Sequence, residues 1–430
     1  MTHFALQRAL SVTTKSALLS EGYASQCHRY IPDTGCTHLH CLNLAKPLHP
    51  MTPKKTVLVV SFSNISRDSR VLRQISALAP FFKVATAGYG PSPSLSSYHL
   101  QLFSRKGLIP KLVAALLLVF RFHQPFHRFW FKTSRIQGFA KSIDPGAVLL
   151  NDVSSWPLAR LFPPASVVLD AHEYSPDELS DSLIWRLFLR PHKIWCSQFA
   201  SAGRVRFCVE EHLCLLWQRL SGLEFAYLPN TSPFVERSKS SSAPDGKIRV
   251  LHQGAAHPTR RIELMIEAIR KAGPHFEGSF FLVGSDKAYM HKLAKMADGA
   301  NSKILDPIPQ EKLVGNGSLY DIAILSCYPS NINNQHSLPN KFFQYIQSRL
   351  PIVTGPNPSI AKIVRQYDIG IVANDFSAEA LADALRMMDH KRISRCRANL
   401  EAAARDLSWD RDKSVLIDAV RVCAEISSSS

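Results

Sequence analysis

The chain has 430 residues, and its 51 Lys and Arg against 34 Asp and Glu give a formal net charge of +17. Apolar residues make up 46% and charged residues 20% of it, which is ordinary globular composition and excludes a largely disordered, collagen-like or coiled-coil protein. Nine cysteines without regular spacing favour buried thiols in a reducing compartment over a disulfide scaffold. The apolar run from Leu112 to Phe120 is much shorter than the ~20 residues that span a bilayer.

The first residues differ from the rest of the chain. Residues 1–50 show neither a strand–turn–helix pattern nor a secretory signal, whereas Met51 begins a stretch that resembles a natural start running into a buried strand. We therefore expect residues 1–55 to be a non-native or disordered extension outside the fold. The alternative is a zinc site, although its C-x-H-x-H-C spacing matches no common arrangement. Its ligands would be Cys36, His38, His40 and Cys41.

A first domain is predicted over residues 56–237. Thr56 to Phe62 is a Val-rich apolar run, typical of a strand covered on both faces in a parallel sheet. Arg70 to Ala79 places apolar residues at helical spacing. Further strands are predicted at 83–87, 148–150, 167–170, 205–209 and 225–228.

A polar, turn-rich segment at residues 238–246 predicts a linker, and the alternation of strands and helices restarts after it. Strands are predicted at 248–252, 279–283, 322–325, 352–354 and 370–372, and helices at 262–272, 288–297, 341–348, 360–367 and 378–388. We expect residues 247–404 to form the second domain. The sequence thus predicts an α/β fold of two Rossmann-like, doubly wound domains facing a central cleft, where ligands of such sheets bind.

The charge is unevenly distributed. Between Asp68 and Asp144 there is no Asp or Glu but there are 11 basic residues. Within this stretch, residues 111–135 interleave the cations with leucines and aromatic residues, which favours contact with an anionic membrane surface. Nucleic acid binding is less favoured because no known nucleic-acid motif accompanies the charge. An ordinary core helix with a basic rim is the other alternative.

Two segments of the second domain carry the chemistry of a diphosphate site. Ser337 to Gly355 predicts a loop that enters a helix and then a strand, and the helix start with Lys341 would bind a diphosphate. Gly254 follows a predicted strand and allows close backbone approach. Arg260 would neutralise the second phosphate. A purely structural helix start and a solvated Arg260 are the alternatives.

Several motifs together resemble those of the retaining, GT-B-fold glycosyltransferases of the family 4 type, the glycosyl transferases group 1. The matching segments are D-x-R-V-L-R-Q-I (68–75), N-D (151–152), V-L-D-A-H-E-Y (168–174), L-P-N (228–230), Q-G-x5-R (253–260) and L-P-N-K-F-F-x-Y (338–345). The resemblance covers Thr56 to about Val420. It implies transfer of a sugar from a nucleotide-diphosphate sugar with retention, no metal and no cofactor besides that donor substrate. It also implies a final helix within residues 405–430 that crosses back to the first domain.

The resemblance also assigns roles to residues. The catalytic candidates are His172, Arg260 and Lys341, and the donor-binding candidates are Gly254, Arg260, Pro309, Asn340, Lys341 and Gln344. The acceptor-side candidates are Asp68, Arg70, Asp152 and Glu173. His172 follows a predicted buried strand, and we expect Asp170 and Glu173 to orient its ring. A pair at the helix N-cap is the alternative role for Asp68 and Arg70.

The sequence departs from the family at the ribose-binding position. The family's Glu-x7-Glu pair is replaced by His336 and Gln344, which keeps a hydrogen-bonding group at Gln344 but removes its charge. The expected function is sugar transfer to a glycan or lipid-linked acceptor in surface polysaccharide biosynthesis, in the cytoplasm at the inner face of the cytoplasmic membrane. The alternatives are a catalytically impaired glycan- or partner-binding protein and a nucleotide-sugar epimerase.

Overall fold

The structure is a computed structural model, and it describes residues 54–104, 107–179, 182–236, 246–309 and 312–426. The candidate zinc ligands lie outside the described residues, and so do nearly all of the predicted N-terminal extension and residues 238–245 of the predicted linker.

In the described part of the first domain, seven strands form one sheet in the order β3-β2-β1-β4-β5-β6-β7. They are β1 Thr56–Asn64, β2 Lys83–Tyr89, β3 Tyr98–Leu102, β4 Ala147–Asn151, β5 Val167–Ala171, β6 Val205–Cys208 and β7 Ala226–Tyr227. All neighbouring pairs are parallel. The apolar run of β1 is buried from Val57 to Val60, since helices cover both faces of the sheet.

Helices connect these strands. The α-helices are Ser69–Leu78, Leu108–Val119, His123–Phe131, Thr133–Ile143, Arg190–Ser197 and Glu211–Ser221. Shorter 3-10 segments lie at Val153–Leu161, Pro164–Ser166, Ser175–Asp177 and Gln198–Ala202, and a π-helical turn at Trp185–Leu189.

In the described part of the second domain, six strands form a second sheet in the order β10-β9-β8-β11-β12-β13. They are β8 Ile248–Ala255, β9 Phe276–Val283, β10 Ser302–Leu305, β11 Ile322–Leu325, β12 Ile352–Thr354 and β13 Gly370–Val372. The α-helices are Ile262–Ala272, Lys287–Asp298, Leu313–Gly317, Ile332–Gln335, Asn340–Gln347, Pro358–Tyr367, Ala378–Arg386 and His390–Asp406, with a 3-10 turn at Pro258–Arg260.

Both sheets have the doubly wound order predicted from the sequence, and the strand order reverses beside β1 and beside β8. Ligands of such sheets bind at this reversal, beyond the carboxyl ends of the strands. The sequence did not predict the edge strands β3 and β10. Both are short and mix polar with apolar residues, because an edge strand is covered less completely than a central one.

The final helix, Trp409–Ile426, packs on the first domain although it follows the second. Leu416 and Val420 share a buried apolar cluster with Val57 and Val59 of β1. The backbone N–H of Trp409 donates to the carbonyl of Ser232 over 2.8 Å. The chain therefore returns to its first domain. Within the described ranges, no helix has both the length and the apolar character needed to cross a membrane.

Candidate donor and catalytic site

The start of the helix Asn340–Gln347 lines a cavity of about 350 Å³ at the reversal point of the second sheet. Its N-cap residue is Pro339, and no side chain from the described part of the chain caps the first turn. The first N–H groups of a helix have no partner within it, so an uncapped start that lines a cavity is suited to bind an anion.

Lys341 and Arg260 bring two cations to the same cavity. The Lys341 side chain lies close to Gly254. A Cβ at position 254 would be only 2.5 Å from the Lys341 Nζ. Gly254 has φ of +138°, a conformation that favours glycine. Burial, together with the charge of Arg260, lowers the pKa of Lys341 to about 7. Among the described residues that line this cavity, none is acidic.

Gln344 occupies the predicted ribose-binding position and lines the same cavity. It is buried, and its Oε1 accepts a hydrogen bond from Gln253 Nε2 over 3.0 Å. The Oε1 of Gln253 is buried and has no hydrogen-bond partner among the described residues. The predicted ribose-binding position is therefore a neutral amide that is hydrogen-bonded to a second neutral amide.

Pro309 lies on the apolar side of an adjoining cleft of about 1130 Å³. The apolar wall also includes Val283, Pro307, Ile308 and Val314. The opposite wall belongs to the first domain and contains Ser69 and Arg73. A mainly apolar slot beside a polar, cationic one is suited to a nucleobase next to its phosphates.

Asn340 joins the two domains at this point. Its Nδ2 donates to Ser69 Oγ over 3.0 Å, and its Oδ1 accepts from Arg73 over 3.1 Å. Arg73 also donates to Asn230 and forms no ion pair with a carboxylate of the described residues. Burial, followed by the charge of Arg70, lowers the pKa of Arg73 to about 9. A partly buried cation that no carboxylate pairs with is suited to bind an anion.

His172 lies just beyond β5, as predicted, and its ring has two partners. Its Nε2 lies 3.0 Å from Asn151 Oδ1 and 3.4 Å from Asp170 Oδ2. Burial tends to lower the pKa of His172, but the hydrogen bond and the charge of Asp170 outweigh it and raise the pKa above its usual value. The ring is thus held in place, and its positive form is stabilised.

The structure corrects the predicted role of Arg70. Its Nε and a terminal nitrogen form a bidentate pair with the two Asp170 oxygens, both at 2.7 Å. Its remaining hydrogen bonds go to the carbonyls of Leu228 and Pro229, and it is 4% exposed. Arg70 therefore positions Asp170 rather than contacting an acceptor. Asp68 is the helix N-cap and accepts from the N–H groups of the following turn, which is the alternative role considered above.

No hydrogen bond or ion pair joins Glu173 to the His172 ring, whose carboxylate partner is Asp170. Burial, followed by the charges of Glu178 and Asp152, raises its pKa well above the usual value. Asp152 accepts from the Val153 N–H over 2.7 Å and lies 3.7 Å from Lys193 Nζ. The carboxyl groups of Asp152 and Glu173 belong to a cluster around Lys193. This cluster lies next to His172 but does not hold its ring.

The second domain also reaches the loop that follows His172. Asn333 Oδ1 accepts from the Tyr174 N–H over 2.7 Å, and Asn333 Nδ2 donates to the Tyr174 carbonyl over 3.0 Å. The ring of His336 stacks on that of His212 with centroids 3.8 Å apart. These contacts hold the two domains together around the cleft. In the described part of the chain, no group of three or more His, Cys, Asp or Glu is arranged to hold a metal ion.

Residues 234–406 match the family model described as Glycosyl transferases group 1. This match covers nearly all of the second domain and ends at the end of the helix His390–Asp406. No curated protein matches the chain.

Solved structures extend the likeness to both domains. Sucrose-phosphate synthase from Thermosynechococcus elongatus superposes with a TM-score of 0.64 at 13% identity, over 88% of this chain and 100% of that one. HepE from Anabaena in complex with UDP-glucose gives 0.61 at 11% identity, over 87% and 100%. WaaG, a glycosyltransferase involved in lipopolysaccharide biosynthesis, gives 0.56 at 14%, over 87% and 100%. The chain has the GT-B fold.

Sequence reasoning did not assign three polar residues of this site. Arg73 lies one helical turn after Arg70 in the same motif, so its spacing marked it as a neighbour. Gln253 belongs to the Q-G-x5-R motif but was not singled out. Asn333 lies in a short polar loop whose contact with the first domain has no signal in the sequence.

Proposed function

We propose that the protein transfers a sugar from a nucleoside diphosphate sugar to a glycan or lipid-linked acceptor, with retention at the anomeric carbon. The observation that supports this most directly is the pair of cations, Arg260 and Lys341, at an uncapped helix start in a cavity without acidic lining among the described residues. HepE, a neighbour of the same fold, was solved with UDP-glucose, which supports a nucleotide-sugar donor.

The proposed mechanism follows from the charge that develops on the leaving group. Cleavage of the anomeric C–O bond leaves its electron pair on the terminal phosphate and positive charge on the sugar. Cations and backbone N–H groups fixed beside that phosphate stabilise the transition state. Arg260 and Lys341 have this role, and Arg73 adds a third cation from the facing domain. The departing phosphate takes the acceptor's proton as the new glycosidic bond forms.

His172 serves the sugar and acceptor side in this proposal. Asp170 and Asn151 hold its ring, and Arg70 holds Asp170 in turn. Asp152 and Glu173 stay candidates for acceptor binding in the neighbouring cluster. We further propose that the enzyme works in the cytoplasm at the inner face of the cytoplasmic membrane, in surface polysaccharide biosynthesis. The likeness to WaaG and the basic first domain support this setting.

The experiment is a screen of nucleotide-sugars by thermal unfolding, followed by turnover assays with those that bind. A ligand present at 100 times its dissociation constant stabilises the protein by ~2.7 kcal/mol. We expect one nucleoside diphosphate family to raise the melting temperature and its sugar conjugate to be consumed. Absence of stabilisation by every nucleotide would contradict the proposal.

A second candidate is a GT-B protein that binds a glycan or partner without transferring sugar. The observation that favours it is the hydrogen bond between Gln253 and Gln344, which stands where a carboxylate is expected. Gln344→Glu separates the two functions. In a working enzyme the restored carboxylate tightens donor binding by ~1–2 kcal/mol, while wild-type turnover is already measurable. Turnover that is undetectable in the wild type and appears only in the variant would favour the binding protein.

A further inference from the structure

The helix Leu108–Val119 carries large apolar side chains on its solvent side. Ile109 is 76% exposed, and the exposed positions recur at the spacing of one helical face. The exposed members of this segment include Leu108, Ile109, Leu112, Leu116, Phe120 and Phe122. The opposite face packs through Ala114 and Leu118. The helix is therefore apolar on both sides, and the described residues cover only one of them.

A second segment extends this exposed surface. Leu183, Ile184 and Leu187 are all exposed, and Ile184 reaches 68%. The next residues, Phe188 and Leu189, pack against the covered face of the helix Leu108–Val119. Two segments from separate parts of the first domain thus form one apolar surface, defined here as residues 108–122 and 183–187 and called the apolar ridge.

The aromatic residues that follow in the sequence do not belong to the apolar ridge. Phe126 is buried, and Phe129 and Trp130 pack beside it in the small core under the first helix. Phe131 stacks on Phe62 with ring centroids 4.2 Å apart. The structure therefore divides the basic and aromatic stretch that the sequence singled out: leucines, isoleucine and two phenylalanines face outward, and the later aromatic residues hold the helix to the domain.

The surroundings of the apolar ridge are cationic. Lys111, Arg121, Arg128 and Arg186 are exposed, and none of them forms an ion pair with a carboxylate of the described residues. Two copies of this chain that met through the ridge would bring these like charges together, which disfavours association. An anionic surface offers both a counter-charge and an apolar interior.

We propose that the apolar ridge inserts into the headgroup region of an anionic bilayer. The helix Leu108–Val119 has 12 residues, so it is too short to span a membrane but long enough to lie in its interface. The flanking cations would then lie at the depth of the lipid phosphates. This inference deepens the proposed lipid-linked acceptor, since the ridge belongs to the domain that would hold it, but it does not depend on catalysis.

The test uses the full chain and vesicles of phosphatidylglycerol with phosphatidylcholine, compared with phosphatidylcholine alone. The wild type is expected to sediment with the anionic vesicles, and less so as salt rises. Leu112→Gln combined with Leu116→Gln should weaken this binding ~10-fold or more. A tryptophan introduced as Leu116→Trp should shift its emission to the blue on the same vesicles and be quenched by brominated lipid.

The matched control is Leu215→Gln combined with Leu319→Gln, two exposed leucines outside the ridge, which should leave vesicle binding unchanged. Equal losses in both double variants, or no sedimentation of the wild type, would overturn the proposal. So would a wild-type dimer in solution that the Leu112 and Leu116 changes dissociate, because a second copy would then cover the ridge. Nucleotide stabilisation of both variants should be as in the wild type, which separates this proposal from that of the donor site.

Discussion

The side-chain amine of Lys341 has a pKa close to neutral pH. Burial and Arg260 lower its pKa to about 7, so near pH 8 most molecules without ligand carry a neutral Lys341. A bound diphosphate would reverse this, because an adjacent negative charge favours the protonated amine.

We therefore predict that a nucleoside diphosphate takes up a proton as it binds near pH 8. The uptake should shrink toward pH 6, where Lys341 is already charged, and should vanish in Lys341→Met. Calorimetry in buffers of different ionisation enthalpy measures it directly. A binding enthalpy that is the same in every buffer would show that Lys341 does not contact the phosphates.

Substitution of Arg260 or Lys341 should lower turnover, whereas substitution of a neighbouring cation should not. Arg260→Ala and Lys341→Ala are each expected to lower turnover by ~100-fold or more, because each removes a cation that stabilises the leaving phosphate. Arg261→Ala is the control, since that side chain pairs with Glu263 over 3.0 Å instead. Steady-state rates with the donor found in the screen decide the matter. A loss of less than tenfold in either variant would remove that residue from the mechanism.

The end of β8 shows how one element positions the site. Gly254 combines a positive φ with close contact to the Lys341 side chain, so a side chain here both strains the backbone and displaces the cation. Gly254→Ala should lower the free energy of unfolding by ~1 kcal/mol or more and weaken nucleotide binding.

Gly138 provides the comparison for this prediction. It lies within the helix Thr133–Ile143, and a Cβ there would meet no atom of the described ranges within 4 Å. Gly138→Ala should be neutral or stabilising by up to ~1 kcal/mol. Chemical denaturation of both variants with and without nucleotide gives the answer. If Gly254→Ala bound nucleotide like the wild type, the close approach would have no functional role.

The sequence predicted elements better than contacts. Central strands such as β1 and β8 are continuous apolar runs because both faces are covered, and the helix Ile262–Ala272 begins and ends where its apolar spacing does. The predicted diphosphate residues Gly254, Arg260 and Lys341 meet because parallel strands and the following helix starts converge at one edge. The ion pair of Arg70 with Asp170 joins residues 100 positions apart, and no local pattern records such a pairing.

At the scale of the whole molecule, the stacked rings of His212 and His336 join the two domains. Burial, followed by the charge of His212, lowers the pKa of His336, while Glu210 opposes this shift. Glu210 also accepts from Ser359, and Glu211 pairs with Lys362 across the same interface. Contact between the two domains thus favours the neutral form of His336.

His336 has a lower pKa when the two domains are in contact, so it binds more protons when they separate. Contact between the domains should therefore weaken as the pH falls through the ordinary histidine pKa of ~6.5 and below. We predict a larger radius of gyration at pH 5 than at pH 7.5, measured by small-angle X-ray scattering. His336→Gln should remove most of this dependence. Equal radii at both pH values in the wild type would contradict the prediction.

The bridge that Asn340 forms with Ser69 and Arg73 bears on the order of events in a catalytic cycle. Asn340 is also the first residue of the helix Asn340–Gln347, which lines the proposed donor cavity. A nucleotide that binds there would compete for the groups that hold the two domains together. We expect the donor to bind while the two domains are apart, and the contacts of Asn340 with Ser69 and Arg73 to form again once it is bound. Departure of the nucleotide would then require the two domains to separate again, so the strength of this one bridge would influence how fast the product leaves.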